Sequence, residues 1–275
     1  MPLEPGYTNH FCPVCKSTEH AHFHTMNSMD VVRCKQCRML FSHTVPSDAE
    51  LHEHYRPSYC DDIGEYHPRS TFHRRWKYQA FRHAIRWWCR DVPKIKLLEI
   101  GCNQGDLLSA VQHDVKFDAQ GIDLADRPLA YARSLGHRVE LTDLESRKFG
   151  DNTFDMIVAL HVLEHVQNPE RLVGEIRRIL KPGGKFFAVM PCSSHIKARL
   201  ASVNWHYLSP PEHLWYFTPK TLAMFVERLG MKSLFSSTLY HRAHVRILCQ
   251  KPKPYVEQRY ETWLGTNSNR GLRAA

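Results

Sequence analysis

Apolar runs of strand length alternate with apolar positions at helical spacing through the middle of this chain. Leu97 to Ile100 forms one run, closed by a loop bounded by Gly101 and Gly105, and a helical pattern starts at Leu107. Phe117 to Ile122 is a second run, followed by a helix over Arg127 to Leu135 that Gly136 ends. His137 to Leu141 predicts a third strand and Phe154 to Leu160 a fourth. A helix from Pro169 to Leu180, a Lys181-Pro-Gly-Gly184 turn and a fifth strand from Lys185 to Met190 follow. Continuous apolar strands suit a sheet covered on both faces. Alternation of strand and helix predicts an α/β, doubly wound, mostly parallel sheet with right-handed crossovers.

Upstream, Thr71 to Arg90 predicts a helix whose apolar face is Phe72, Trp76, Ala80, Ala84 and Trp87, with arginines largely elsewhere. Pro93 ends that segment. Residues 46–70 carry Pro46, Pro57 and Pro68 with Tyr55, Tyr59 and Tyr66 between them, a composition of short turns that suits a linker or a lid. The organisation predicted is a module over 1–45, a linker and basic aromatic helix over 46–92, a main domain over 93–251 and a loosely attached tail over 252–275.

The first strand–loop–helix unit, Lys96 to Ala110, has the order of a nucleotide-binding α/β unit. Its glycines let the backbone turn tightly and come close to a ligand. Asp123 follows roughly twenty residues beyond that loop, at the end of the second strand, where a carboxylate can accept both ribose hydroxyl protons of a nucleoside. The alternative role is an N-cap for the Arg127 helix.

Cysteines add a second chemistry. Cys12-Pro-Val-Cys15 and Cys34-Lys-Gln-Cys37 are two knuckles separated by eighteen residues, the spacing of a four-thiolate zinc site closed by a hairpin. Four thiolates leave no open position, so the zinc is expected to be structural. A redox role would need a thioredoxin-like surrounding that the sequence lacks. His20, His22 and His24 fall between the knuckles and are expected in an exposed loop. Cys60, Cys89, Cys102, Cys192 and Cys249 are scattered and predicted to be small buried apolar residues.

Hydrophobic residues make up 43% and charged residues 24% of the 275, the balance of an ordinary soluble domain. No apolar run approaches the ~18 to 20 residues of a membrane span. The N-terminus carries no secretory pattern, which makes the cytoplasm the default location. The net charge is +9, and Arg69, Arg74, Arg75, Lys77, Arg82, Arg86 and Arg90 lie in one stretch without an acid. Such a stretch attracts acidic partners and, with interleaved aromatics, single-stranded nucleic acid.

His161-Val-Leu-Glu164-His165 matches the HxxEH pattern of a zinc peptidase class, but it stands at the end of a buried strand rather than on a helix. Taken together, Glu99-Ile-Gly-Cys-Asn-Gln-Gly105, Asp123, Thr142-Asp143-Leu144, Phe154-Asp-Met-Ile-Val, His161 to His165 and Leu180-Lys-Pro-Gly-Gly184 resemble class I S-adenosylmethionine-dependent methyltransferases. The resemblance covers about Lys94 to Lys251. With the knuckles before it and Glu212-His-Leu-Trp-Tyr-Phe-Thr218 after it, the chain looks like a bacterial subgroup that modifies sugars, polysaccharides or secondary metabolites.

The resemblance implies a seven-stranded Rossmann-like sheet ending in an antiparallel hairpin, which Lys232 to Tyr240 and Ala243 to Gln250 fit after a helix from Thr218 to Leu229. It implies that Glu99, Gly101, Cys102, Asn103 and Gly105 frame the methionine end of S-adenosylmethionine, and that Asp123 and Leu124 stand at its ribose. Asp143 and Leu144 would flank the adenine, and Leu160 and His161 would lie beside the donor methyl. Asn103 stands where the family has a third glycine. Asn tolerates positive φ better than other side chains, so the loop can keep its path.

Methyl transfer to oxygen or carbon needs a base for the acceptor's proton. His213 with Glu212 resembles the catalytic pair of sugar C-methyltransferases, and His165 is the rival. The acceptor expected is a small molecule or carbohydrate. The alternatives are a ribosomal or transfer RNA bound through the zinc module and basic helix, or a non-catalytic protein that keeps the fold and the cofactor.

Overall fold

The computed structural model describes residues 6–47, 49–51, 72–238 and 243–254. Tyr55, Tyr59 and Tyr66 of the predicted lid, Cys60, and the predicted tail beyond residue 254 lie outside the described residues. Each predicted strand of the main domain is present: β6 (Ile95–Ile100), β7 (Phe117–Asp123), β8 (Val139–Leu141), β9 (Phe154–Leu160) and β10 (Leu180–Pro191). The hairpin strands are β12 (Lys232–Thr238) and β13 (His244–Gln250). The sheet order is β12-β13-β10-β9-β6-β7-β8. The four pairings between β10 and β8 are parallel, and β13 runs antiparallel to both β10 and β12. The Lys181 to Gly184 turn is a bulge inside β10, where the register against β9 shifts between Leu180 and Lys185.

Side chains alternate across this sheet and build two separate cores. Leu97, Met156, Val158, Phe187, Val189 and Leu248 face one side. That side is covered by α1 (Phe72–Trp88), α2 (Asp106–Val111) and α3 (Asp126–Ser134). Leu98, Ile157, Ala159, Phe186, Ala188 and Ile247 face the other. They pack under α4 (Leu144–Arg147), α5 (Pro169–Ile179) and α7 (Pro219–Arg228). Two short helical turns, α6 (Ile196–Ala201) and a 3₁₀ turn at Ser202–Asn204, follow β10.

The buried face of α1 differs from the predicted one. Trp76 and Trp87 are 63% and 66% exposed, whereas Tyr78, Phe81, Ile85, Trp88 and Cys89 pack on the sheet. The helix carries aromatic stripes one residue apart, about 100° around its axis, and Phe187 selects between them. Its ring lies 5.5 Å from Phe81 and 5.0 Å from Trp88. Part of the basic charge is neutralised internally: Arg86 Nη1 donates to both oxygens of Asp114 at 2.6 and 2.7 Å.

The cysteine module contributes β1 (Tyr7–Thr8), β2 (His20–Met26), β3 (Met29–Cys34), β4 (Leu40–Ser42) and β5 (Thr44–Val45). His20, His22 and His24 belong to β2 rather than to a loop. The module's sheet has the order β11-β4-β3-β2, and β11 (Trp215–Tyr216) comes from the main domain. Trp215 pairs with Phe41 and Tyr216 with Leu40. Cys12, Val14, Met39 and Phe41 share a core with Leu98, Ile157 and Phe186. From α7, Arg228 donates to the carbonyls of Pro13 and Val14 and pairs with Glu170. The module is thereby built onto the main domain across strand pairing, apolar packing and partly buried polar contacts. Among the described residues no helix is long and apolar enough to cross a membrane.

Candidate functional site

The carboxyl ends of β6, β7, β8 and β9 form one edge, where open α/β sheets bind ligands. Ile100 pairs with Ile122 on one side and Ala159 on the other, and Asp123 pairs with Leu141. Glu99, the Gly101–Gly105 loop, Asp123, Asp143 and His161 therefore leave the sheet from neighbouring strands. Gly101 has φ +68, and an added Cβ there would stand 2.6 Å from Val162 Cγ2. Gly105 has φ +78 and caps α2, and Asn103 takes φ +47. The loop thus runs in backbone that most side chains resist.

Asp123 holds this loop. Its Oδ2 accepts the Asn103 backbone N–H at 2.7 Å and its Oδ1 accepts from Ala125 at 2.9 Å. The N-cap residue of α3 is Ala125, without a side-chain cap. Burial raises the Asp123 pKa, against the opposing hydrogen bonds from Ala125 and Asn103. Glu99 is buried at 3% exposure, and its Oε2 has no hydrogen-bond partner. Burial first, then the charges of Asp106 and Asp123, push its pKa well above the ordinary carboxyl value. A buried carboxyl of that kind is completed by a proton or a cationic ligand.

Asp143 caps α4, accepting from the backbone N–H and hydroxyl of Ser146 at 2.7 and 2.6 Å. Each carboxylate oxygen keeps a second lone pair for a ligand. Cys102 and Leu144 send their side chains into the core, so only their backbones face the edge. Leu124 is 56% exposed beside Asp123, and Leu160 is partly buried.

Beyond β9, the segment His161 to His165 is a tight turn, not a helix, and His161 has φ +59. A metal pair one helical turn apart is therefore absent. Glu164 turns inward instead, its Oε1 accepting from His161 Nδ1 at 3.1 Å and standing 3.8 Å from His165 Nε2. His165 Nδ1 donates to the Glu212 carbonyl and His213 Nδ1 to the Tyr207 carbonyl, each at 2.8 Å. The rings of His165 and His213 are 4.7 Å apart. Ser209 Oγ connects Glu212 Oε2 at 3.3 Å with His213 Nδ1 at 3.1 Å. Burial, then the neighbouring His165, lowers the His213 pKa. For Glu164, burial pulls the pKa up, but the His161 hydrogen bond and the two histidine charges outweigh it and hold the carboxyl below its usual range.

Two residues that the sequence did not single out join this group. His244 of β13 packs its ring 4.6 Å from His161 and meets the Tyr207 hydroxyl at 2.9 Å through Nε2. Their sequence separation hid them, because only the antiparallel insertion of β13 beside β10 brings His244 opposite Pro191.

The four knuckle sulfurs gather as the spacing predicted, all within 4.8 Å of one another. Cys12 and Cys37 sulfurs lie 3.5 Å apart, as do those of Cys15 and Cys34. Four sulfurs at about 2.3 Å from one zinc would stand about 3.8 Å apart, so the cluster fits that ion. Both knuckles share one geometry. Lys16 and Arg38 sit at φ +62 and +67. Their N–H groups donate to Cys12 and Cys34 carbonyls at 3.0 and 3.1 Å.

A methyltransferase-domain family model matches residues 60–234, more than half of the chain. The ubiquinone biosynthesis O-methyltransferase of Pseudomonas aeruginosa is 29% identical over 140 residues, spanning 40% of this chain and 59% of that protein. Phosphoethanolamine N-methyltransferase 3 of Arabidopsis thaliana is 33% identical over 112 residues, spanning 37% of this chain and 22% of that protein. The chain thus matches less than two thirds of the length of either relative. Among solved structures, the [4+2]-cyclase SpnF superposes with a TM-score of 0.53 at 17% identity, covering 64% of this chain and 81% of that one. The CurJ carbon methyltransferase superposes with a TM-score of 0.50 at 15% identity, covering 64% and 54%. These structural likenesses are ones of fold. Family match, sheet order and the glycine loop at the sheet edge together make this chain a member of the class I S-adenosylmethionine-dependent methyltransferase family.

Proposed function

We propose that this chain transfers the methyl group of S-adenosylmethionine to a small-molecule or carbohydrate acceptor. The observation that carries the cofactor is Glu99: a buried carboxylate oxygen without a partner, at the start of the glycine loop, suits the ammonium of the methionine end. Asp123 holds the loop in place and offers its remaining lone pairs to the ribose hydroxyls, while Asp143 stands at the adenine position. When bound, the sulfonium supplies a methyl group already electrophilic, so the protein's work is orientation and exclusion of water.

The acceptor side is the group made by Glu164, His165, Glu212 and His213 beyond β9. It handles the proton that an oxygen or carbon acceptor gives up. The names of the relatives, a ubiquinone biosynthesis O-methyltransferase and a phosphoethanolamine N-methyltransferase, support small-molecule acceptors as a class. The four-cysteine site takes a structural zinc, with no position left for substrate.

The test is calorimetry with S-adenosylmethionine followed by transfer of labelled methyl into fractionated extract. Binding together with label in a small-molecule fraction is expected. Lack of cofactor binding ends the enzyme reading, and label confined to RNA replaces the acceptor class.

A further inference from the structure

The cysteine module and the segment after β10 form a cavity of about 210 Å3 between them. Phe23, Arg33 and Leu40 line it from β2, β3 and β4, and Arg199, Ser202 and Trp205 from α6 and the turn behind it. Leu40 and Trp205 also belong to an apolar cluster with Val31 and Tyr216. Two of the lining side chains are cations and, among the described residues, none is an acid. The Arg33 guanidinium lies 4.5 Å over the Phe23 ring, and Arg199 is exposed on α6. Among the described residues neither guanidinium donates a hydrogen bond or forms an ion pair, and the Ser202 hydroxyl has no hydrogen-bond partner. Elsewhere in the chain Arg86, Arg178 and Arg228 are each held by a carboxylate. We propose that this cavity binds the phosphate group of a small molecule, with Arg33 and Arg199 as its countercharges and the Ser202 hydroxyl as a further donor.

The donors suit that group. A guanidinium presents a planar fork that meets phosphate oxygens in pairs and keeps its charge at any working pH. Two of them match a phosphate monoester, which carries close to two negative charges at neutral pH. A single carboxylate would leave one cation over. Burial, then the charge of Arg38, lowers the Arg33 pKa. That is the direction of a cation with a like charge near it, and an anion in the cavity would oppose both causes. Ser202 sits at φ +48 and ψ −119, backbone that a non-glycine residue resists. Strain of this kind gathers where ligands are held. The volume is roughly seven times the ~30 Å3 that one water takes in the liquid, enough for a phosphate and part of what it is attached to.

Either the methyl acceptor or a separate small molecule can carry this phosphate, and the chemistry at the cavity is the same. The first source rests on the methyl-transfer reading; the site itself does not. Tyr207 connects the cavity with the histidine group. Its ring lies 5.6 Å from that of Trp205 and 5.7 Å from that of His213, and its hydroxyl meets His244 Nε2 at 2.9 Å. The cavity wall and the group that handles the acceptor's proton thus share one aromatic ring.

The test is binding of inorganic phosphate to the full-length protein, without cofactor and in phosphate-free buffer, read by calorimetry and by phosphorus NMR line broadening. Saturable binding is expected. Arg33→Gln and Arg199→Gln should each weaken it at least about tenfold. Arg90→Gln, whose side chain is 64% exposed away from the cavity lining, should leave it unchanged. Thermal unfolding reports whether the variants fold, and the exposed Arg199 carries the test if Arg33→Gln does not. A wild type without saturable binding, cavity variants that bind like wild type, or an equal loss in Arg90→Gln overturns the proposal. S-adenosylmethionine binding by the same protein keeps the two readings apart. Phosphate binding without cofactor binding removes the enzyme reading and leaves the site standing, and the reverse result removes only the site. A labelled methyl product that phosphatase converts to a neutral species places the phosphate on the acceptor; a product neutral from the start assigns it to a separate ligand.

Discussion

The carboxylate of Asp123 accepts the backbone N–H of Asn103 at 2.7 Å, tying the end of β7 to the middle of the glycine loop. One side chain thus shapes the loop and, in the proposed function, would also take the ribose hydroxyls. Asp123→Ala removes acceptors from two backbone N–H groups, at a cost of about 1 to 3 kcal/mol each if they stay buried. Asp123→Asn keeps an amide oxygen that can serve one of them. In thermal unfolding and calorimetry, the alanine variant is expected to lose both stability and at least about tenfold in cofactor affinity, or 1.4 kcal/mol. The asparagine variant should lose affinity with a smaller change in stability. Equal melting of both variants with wild type would refute the loop-holding role.

Gly101 and Val162 form a second pair that a double-mutant cycle can separate. Gly101→Ala places a Cβ 2.6 Å from Val162 Cγ2 and forces alanine to φ +68. The backbone part costs about 1 to 2 kcal/mol, and the clash adds to it. Val162→Ala in the same chain should recover the clash and leave the backbone cost. Additive effects in denaturant unfolding would show that the two residues do not meet.

Glu99 predicts a pH dependence. Its pKa is raised in the folded chain by burial and by Asp106 and Asp123. Above the ordinary carboxyl pKa of about 4.3, the unfolded chain loses its proton first and the folded chain holds it. Stability of the cofactor-free protein therefore falls as pH rises from there toward the folded pKa. Glu99→Gln should remove this slope, melting higher than wild type at neutral pH and alike at pH below both pKa values. The same variant should bind S-adenosylmethionine more weakly. A Gln variant that melts lower at neutral pH, without cofactor, would sink this account.

The cysteine module meets the segment that carries Glu212 and His213, the acceptor side in the proposed function. Its β4 pairs with β11, which begins two residues after His213, and Ser42 N–H donates to the Leu214 carbonyl at 2.9 Å. Asn27 Nδ2 reaches the Pro210 carbonyl at 2.7 Å. Cys34→Ser, or chelation of the ion proposed for the four thiolates, should therefore reduce methyl transfer well beyond its effect on cofactor affinity. The comparison is kcat and acceptor KM against the calorimetric cofactor Kd. Parallel losses in all three would mean that the module supports the whole fold evenly.

Much of the fold was legible along the chain. The strands and helices of the main domain follow from apolar periodicity, and the helix ends carry their own signals. Pro169 behind Asn168 and Pro219 behind Thr218 open α5 and α7 with side-chain caps. The face of α1 was not legible. Two aromatic stripes compete there, and the choice belongs to Phe187, about a hundred residues away. The Lys181 to Gly184 turn also read differently, because its backbone still pairs across a bulge once β9 lies alongside.

The sequence by itself determined whatever depends on neighbouring residues: the alternation that makes a parallel sheet, the glycine loop with Asp123 at the next strand end, and the two CxxC knuckles. Each is set by local backbone preference or by a short spacing, and needs no distant partner to be recognised. Tertiary structure alone decided that β11 completes the module's sheet, that His244 stands against His161, and that Glu164, His165 and His213 converge. Those meetings depend on strand order and on the packing of segments far apart in the chain. One residue of register or one turn of a helix face would undo them, and no spacing rule encodes either.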